Sequence, residues 1–181
     1  RLPSSDWVIN CAAYTDVDGA ETHRDLAFAV NADGAGRLAR WCAGRHTPFF
    51  HISTDYVFDG ALGRALREDD PVHPLGVYAE SKLAGERAVQ AAGGRSITAR
   101  TQALFGVAGR SFIRAIVDRL AQSGEALRVV ADQTVCPTYT RHFADAILRL
   151  MKTDHSGIVH VSASGSCTWH EFACAIAARV K

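Results

Sequence analysis

Short apolar runs alternate with longer helix-forming segments along the chain, and this alternation limits the fold more than any other feature. The apolar runs have the length of buried strands, and they are residues 7–10, 49–53, 96–100, 127–130 and 158–161. The helix-forming segments lie at residues 25–45, 78–92, 112–121, 141–152 and from 168 onward. Strands that alternate with helices favour right-handed βαβ units. We therefore predict an α/β fold with a mostly parallel sheet.

Two loops of this fold are predicted to carry the chemistry, because each follows the carboxyl end of a strand. One begins after Ser53 and is rich in glycine and proline, and the other begins after Arg100. In open α/β sheets, ligands bind outside the carboxyl ends of the strands. The functional residues are therefore expected near these two positions.

Local signals predict how the helices begin, end and pack. The tetrapeptide from Thr168 to Glu171 has the form of a capping box and predicts a helix start. Gly93-Gly94 is expected to close the helix that begins near Tyr78. Gly34 and Gly36 weaken the helix at residues 25–45, and we expect them to let it approach the sheet closely.

Charge and composition exclude several classes of partner. The 181 residues are 48% hydrophobic, and the formal net charge is only +1. Such a chain shows no electrostatic footprint for nucleic acid or for an anionic membrane surface. It also contains no run of about 18 apolar residues, the length needed to span a bilayer. We expect no nucleic-acid partner and no membrane association.

The cysteines and histidines do not form a recognisable metal or disulfide pattern. The five cysteines are widely spaced and include no C-x-x-C pair, and the eight histidines include no H-x-x-x-H pair. A zinc site or a disulfide framework would need such spacing. We therefore expect small buried cysteines in the reducing cytoplasm, and no metal.

Three side chains form the candidate catalytic group: Thr54 beyond a strand end, and Tyr78 and Lys82 four residues apart on a helix. At this spacing an ammonium can lie beside a phenol. At about 4 Å and an effective dielectric near 20, that cation would favour the phenolate by roughly 4 kcal/mol. This is about three pKa units, with desolvation acting against it. A Tyr–Lys pair at this spacing is common on helices, so the pair alone is weak evidence.

Several motifs together are more specific than the pair. They are N-C-A-A-Y-T-D-V-D at 10–18, S-T-D-Y-V-F-D-G at 53–60, Y-A-E-S-K-L-A-G-E at 78–86, Arg100-Thr101, Asp132-Gln133, Pro137-Thr138 and T-W-H-E at 168–171. In this order and spacing the chain resembles the dTDP-4-dehydrorhamnose reductases, which are extended short-chain dehydrogenase/reductases. The resemblance covers essentially the whole chain.

The resemblance implies roles for individual residues. Thr54, Tyr78 and Lys82 fall on the catalytic positions. The implied cofactor-binding positions are Ala13, Tyr14, Thr15, Tyr78 and Lys82, and the implied substrate-binding positions are Thr54, Asp55 and Ala103.

Alternatives stay open for three of these positions. Asp55 also fits a loop-capping carboxylate, and Ala13 also fits simple tight packing. Ala103 stands where the family has a tryptophan, since R-T-S-W is replaced by Arg100-Thr-Gln-Ala103. The missing indole puts the identity of the substrate in doubt, but not the hydride chemistry.

The resemblance also implies a Rossmann-like, doubly wound parallel sheet that here lacks its first βα units. We expect residues 1–181 to be a partial reductase domain, with parts of about 101–181 contributing to an interleaved substrate-binding region. No glycine-rich phosphate loop precedes Trp7, although such a loop holds the pyrophosphate in dinucleotide-binding folds. We expect G-x-x-G-x-x-G upstream, and weak or no NADPH binding and no activity by this chain alone.

The activity implied by the resemblance is NADPH-dependent reduction of the C4 keto group of dTDP-4-dehydro-L-rhamnose to dTDP-L-rhamnose, a precursor of cell-surface polysaccharide. NADH is the alternative cofactor, and a homodimer is left open. One alternative function is reduction or epimerisation of another keto-sugar nucleotide. Another is a non-catalytic dinucleotide-binding subunit resembling the β subunit of methionine adenosyltransferase. Intact Thr54, Tyr78 and Lys82 favour catalysis, whereas Ala103 points weakly the other way.

Overall fold

The computed structural model describes residues 5–109, 111–122 and 126–180. Its helices are α1 (Val17–Thr22), α2 (Arg24–Phe28), α3 (Ala35–Ala43), α4 (Val77–Ala91), α5 (Phe112–Gln122), α6 (Thr140–Leu150) and α7 (Trp169–Ala177). Its strands are β1 (Val8–Asn10), β2 (Phe49–Thr54), β3 (Ser96–Thr101), β4 (Leu104–Phe105), β5 (Thr134–Val135), β6 (Thr138–Tyr139), β7 (Gly157–His160) and β8 (Cys167–Thr168). A π-helical segment, Ala29–Gly34, joins α2 to α3, and a 3₁₀ turn, Asp55–Val57, follows β2.

A four-stranded sheet in the order β1-β2-β3-β7 confirms the predicted α/β class. Strand β1 runs parallel to β2, with Val8 opposite Phe49, and β3 runs parallel to β7, with Ile97 opposite Gly157. Five of the six residues of β2 are buried, as expected for a strand covered on both faces.

The chain divides into two compact units. The first comprises residues 1–100 and 151–160 and contains the parallel sheet. The second comprises residues 101–150 and 161–181 and contains the two-stranded sheets β4–β6 and β5–β8. Its core consists of Ile116, Ala173 and Ile176. The contribution of this second unit to substrate binding stays a prediction.

One predicted strand is wrong. Residues 127–130 lie outside every strand, although Leu127 and Val129 pack against the core of the second unit. The backbone of Val130 accepts a hydrogen bond from His170 N rather than joining a ladder. The short apolar run therefore marked a segment that packs on the core with two half-buried side chains, while Val130 is exposed, and its pattern did not distinguish a strand from an extended segment.

The other predicted elements are present with small shifts of their ends. The capping box at Thr168 forms, with Glu171 N donating to Thr168 Oγ1 at 3.1 Å, and α4 ends before Gly93. Helix α1 was missed. Its cap is Asp16, whose carboxylate accepts a hydrogen bond from Gly19 N, so the aspartate in this stretch was the overlooked signal.

The cysteines only partly follow the expectation of burial. All five are free thiols, and Cys42 of α3 is buried in the core. Cys11 and Cys174 are exposed, which is contrary to prediction, and the other two are half-buried.

Across residues 5–109, 111–122 and 126–180, no helix is long and apolar enough to cross a membrane.

Gly36 and Gly85 allow helices to pack closely. Of the two glycines predicted to bring their helix to the sheet, Gly34 and Gly36, neither does so: a Cβ on Gly34 would meet only Ala29 O of its own segment, at 3.4 Å. A Cβ on Gly36 would lie 2.9 Å from Ala88 Cβ of α4, so this glycine brings α3 against a helix and not against the sheet. A Cβ on Gly85 of α4 would lie 2.2 Å from the backbone oxygen of Asn31. The packing of α4 against the π-helical segment therefore requires a residue without a side chain at position 85.

Replacing Gly85 with alanine is expected to destabilise the fold, because Asn31 O is backbone and cannot move aside alone. Gly85→Ala should lower the free energy of unfolding by about 3 kcal/mol, at the upper end of overpacking effects. Gly44→Ala is the matched control, since Gly44 has α-helical dihedrals and its Cβ would meet nothing nearer than 3.5 Å. Urea unfolding of both variants measures the difference. Equal midpoints would show that Gly85 is not required.

Candidate active site

The candidate site lies where the carboxyl end of β2 meets the first turns of α4. Helix α4 starts after an extended Gly76, and Val77 N donates to Glu21 Oε1 at 2.8 Å, which satisfies one free amide of the first turn. Eight of its fifteen residues are buried. This burial holds Tyr78 and Lys82 on the face of α4 that packs toward β2.

Lys82 is anchored to β2 by its side chain. It is 3% exposed, and its Nζ donates to the backbone oxygen of Ile52 at 2.7 Å. Burial lowers the pKa of Lys82 to about 8, while the Glu86 carboxylate raises it. At neutral pH Lys82 is therefore an ammonium with one partner on β2 and two further N–H groups to donate.

Tyr78 is more firmly protonated than an ordinary tyrosine. Burial raises the pKa of Tyr78 to about 12, and the carboxylate of Asp55 raises it further, while the Thr54 hydroxyl acts in the opposite direction. The prediction that Lys82 lowers the pKa of Tyr78 by up to about three units is wrong for this structure, because desolvation dominates. The ring of Tyr78 packs edge-on against Tyr56, with centroids 5.8 Å apart.

Thr54 and Asp55 form a hydrogen-bonded turn at the end of β2. Thr54 Oγ1 accepts from Tyr56 N at 3.2 Å and donates to Asp55 Oδ1 at 3.2 Å. Burial raises the pKa of Asp55 to about 6, and its hydrogen bonds only partly offset this. The structure thus brings Thr54, Asp55, Tyr78 and Lys82 to one edge of the sheet.

The segment Ala13-Tyr14-Thr15 lies beside the same helix. Ala13 and Tyr14 are half-buried and Thr15 is exposed. The rings of Tyr14 and Tyr78 pack against one cluster, formed by Ala20, Ala27 and Val77. These implied cofactor positions therefore lie close to Tyr78.

Asn31 connects this segment to α4, and the sequence analysis missed it. Its Oδ1 accepts from Tyr14 N at 2.8 Å, and its Nδ2 donates to Tyr14 O at 3.1 Å and to Ser81 Oγ at 2.9 Å. Asn31 is 1% exposed within the π-helical segment. A polar amide among the apolar positions of a helix was the signal that could have revealed it.

Ala103 stands in the second unit, so its association with Thr54 stays a prediction. Its φ of 45° lies in the left-handed region, which favours glycine over alanine. Its backbone oxygen accepts from Thr138 N at 3.1 Å.

In the part of the chain that the structure describes, no group of three His, Cys, Asp or Glu side chains could hold a metal ion.

Comparisons with known proteins give matches over most of the chain. Residues 2–181 match the family model described as the RmlD substrate binding domain. A dTDP-4-dehydrorhamnose reductase from Mycobacterium tuberculosis is 46% identical over 166 residues, which are 88% of this chain and 54% of that protein. A probable dTDP-4,6-dihydroxy-2-methyloxan-3-one 4-ketoreductase from Streptomyces antibioticus is 41% identical over 168 residues, 92% of this chain and 57% of that protein.

A solved structure gives the same result for the fold. The dTDP-4-dehydrorhamnose reductase from Bacillus anthracis strain Ames, determined in complex with NADP, superposes with a TM-score of 0.91 at 38% identity, covering 96% of this chain and 62% of that one. The chain therefore spans a little over half the length of the relatives it matches.

The raised pKa of Asp55 predicts a pH-dependent stability difference. Its folded value of about 6 lies above the ordinary 3.8, so the stabilisation from protonation is complete below about pH 4 and is lost as the pH rises through 6. Asp55→Asn removes the buried charge and should be more stable than the wild type at pH 8, by about 2–3 kcal/mol. This difference should shrink toward pH 4.

Denaturant unfolding at pH 4 and pH 8 measures this. Asp59→Asn is the control, because Asp59 is paired with the exposed His73 at 3.0 Å and its pKa is lowered. It should show no gain at pH 8. A difference between Asp55→Asn and wild type that is the same at both pH values would contradict the assignment.

Proposed function

Because the chain belongs to the RmlD substrate binding domain family, we propose that the natural protein reduces the C4 keto group of dTDP-4-dehydro-L-rhamnose to give dTDP-L-rhamnose, with NADPH as the reductant. The observation that carries this proposal is the convergence of Thr54, Tyr78 and Lys82 at the end of β2, where ligands bind in open α/β sheets. A cytoplasmic setting and a homodimer belong to the same proposal.

The residues present fit a nicotinamide cofactor. Lys82 has N–H groups beyond the one given to Ile52 O, and these suit the hydroxyls of a ribose. Ala13 precedes Tyr14, whose backbone is bound by Asn31. Because the side chain of Ala13 is a single methyl group, the flat nicotinamide ring can approach the backbone there. When bound, NADPH would supply the hydride for C4.

The side chains of this chain would supply the proton and stabilise the developing charge. Tyr78 is protonated at neutral pH, and an alkoxide oxygen is a stronger base than a phenolate. Proton transfer from the Tyr78 hydroxyl to the substrate oxygen is therefore favourable once C4 becomes tetrahedral. The Thr54 O–H, which donates to Asp55 in this structure, would turn to donate to the same oxygen. The Lys82 ammonium would stabilise the phenolate left behind, which regains its proton from solvent.

A second candidate is reduction of a different keto-sugar nucleotide. Ala103 replaces the tryptophan of the family motif, and one relative at 41% identity carries the name of a 4-ketoreductase for another dTDP-linked sugar. This change leaves Thr54, Tyr78 and Lys82 in place. It would alter which sugar is accepted, but not how the hydride is delivered.

Substitutions of the three side chains should separate their roles in the natural gene product. Tyr78→Phe should abolish turnover with little loss of cofactor binding, because it removes the proton donor and keeps the ring. Lys82→Met should weaken both turnover and binding. Thr54→Val should lower turnover by about 10²–10³-fold, the effect of losing one hydrogen bond to a developing oxyanion. The assay is NADPH oxidation with dTDP-4-dehydrorhamnose.

Lys152→Met, at an exposed lysine of the first unit, is the control and should keep wild-type turnover. Equal activity of Tyr78→Phe and wild type would refute the mechanism. An inactive wild type that still binds NADPH would favour a non-catalytic binding subunit. A wild type active only on another keto-sugar nucleotide would favour the second candidate.

A further inference from the structure

A buried ion pair lies next to the site, in contact with the residue that precedes Thr54, and takes no part in the mechanism above. Arg100 of β3 and Glu86 of α4 are 4% and 3% exposed in their side chains, and they meet at 2.7 Å. The guanidinium Nε also donates to Glu86 Oε1 at 3.0 Å, so the pair is bidentate. Arg100 further packs over the ring of Phe58, 5.0 Å from its centroid.

The same carboxylate is tied to β2. Ser53 Oγ donates to Glu86 Oε1 at 2.5 Å, and Ser53 directly precedes Thr54. One turn earlier on α4, Lys82 donates to Ile52 O. Two adjacent side chains of α4 thus bind two adjacent residues of β2, which fixes the register between the helix that carries Tyr78 and the strand that ends in Thr54.

Stability alone does not explain this pair. Burying two charges is expensive, and replacing a buried ion pair by apolar residues of similar volume is often neutral or stabilising. The position of Glu86 offers another explanation, because it lies four residues after Lys82, where side chains on a helix are neighbours. Its negative charge is therefore next to the buried ammonium.

We propose that Glu86, held by Arg100 and Ser53, is a positioning residue that keeps Lys82 cationic and holds α4 in register with the end of β2. The role rests on the proposed function only in its effect on turnover, because the charge of Lys82 is a property of the protein itself.

The charged and titratable groups around Lys82 support this assignment. On its own helix they are Glu86 and Tyr78. From β2 the buried His51 faces it, and burial together with the Lys82 charge lowers the pKa of His51 to about 3, so this ring is neutral. Arg100 of β3 pairs with the Glu86 carboxylate. Glu86 is therefore the anion that offsets the burial of the ammonium.

The charge state of Lys82 can be measured without catalysis. The chain contains only three lysines, Lys82, Lys152 and Lys181, so labelling with [ε-¹³C]lysine gives three signals, and Lys82→Met identifies one of them. The wild-type Lys82 signal should titrate near pH 8. In Glu86→Gln its midpoint should fall by about one pH unit, a tenfold change in the proton equilibrium.

Glu80→Gln is the matched control on the same helix. Glu80 pairs with Arg24 at 2.9 Å on the surface, so its loss should leave the Lys82 midpoint unchanged. Because Glu86→Gln strands a buried guanidinium, the double variant Glu86→Gln/Arg100→Met is measured as well. It removes both charges, should keep the fold, and should show a downward shift that is smaller than in Glu86→Gln, because the Arg100 cation no longer repels the ammonium.

Activity of the natural gene product provides an independent second readout. The alkaline limb of kcat/KM against pH should move down with the Lys82 midpoint in both Glu86 variants, and should stay in place in Glu80→Gln. An unshifted Lys82 midpoint in a folded variant would overturn the proposal, and so would the failure of both variants to fold. A shifted midpoint in an enzyme without reductase activity would support the role of Glu86 and reject the proposed function alone.

Discussion

The hydrogen bond from Lys82 Nζ to Ile52 O is the contact on which the candidate site depends. It brings a buried ammonium to the backbone of β2 one residue before Ser53, so α4 cannot slide along the strand without breaking it. Tyr78 lies one turn toward the amino end of α4, and Thr54 lies two residues beyond Ile52. A single contact between helix and strand therefore places the three proposed catalytic groups at the same edge of the sheet.

Burial acts on each ionisable group of this edge, and the results differ with its charge. It lowers the pKa of Lys82 and raises those of Asp55 and Tyr78. Each shift favours the neutral form, as desolvation requires. For Tyr78 this suits a proton donor, since a phenol that stays protonated is ready to give its proton to a stronger base. For Lys82 it opposes function, and the nearby Glu86 carboxylate offsets it.

Much of the fold and of the site could be predicted from the sequence, but not the interactions that depend on distant residues. A short apolar run located β2, and helix-forming sequence closed by Gly93-Gly94 located α4. Local motifs located Thr54, Tyr78 and Lys82. The Leu127–Val130 segment was mistaken for a strand, because an apolar run does not show whether a neighbouring strand is available to form backbone hydrogen bonds with it. The direction of the Tyr78 pKa shift was missed because the depth of burial is set by tertiary packing. Asn31 and Gly85 are in contact although they lie 54 positions apart in the sequence. No local sequence pattern could predict this contact.

The central proposal is that the residues at this edge of the sheet promote hydride transfer from NADPH to the sugar carbonyl. The most direct measurement follows deuterium from NADPH in which both hydrogens at C4 of the nicotinamide are replaced by deuterium, during one turnover of the natural gene product with dTDP-4-dehydrorhamnose. The account predicts that the product carries deuterium bonded to C4 of the sugar, as seen by mass spectrometry and NMR. Unlabelled sugar with deuterium retained on the nicotinamide, in a protein that binds both compounds, would contradict it.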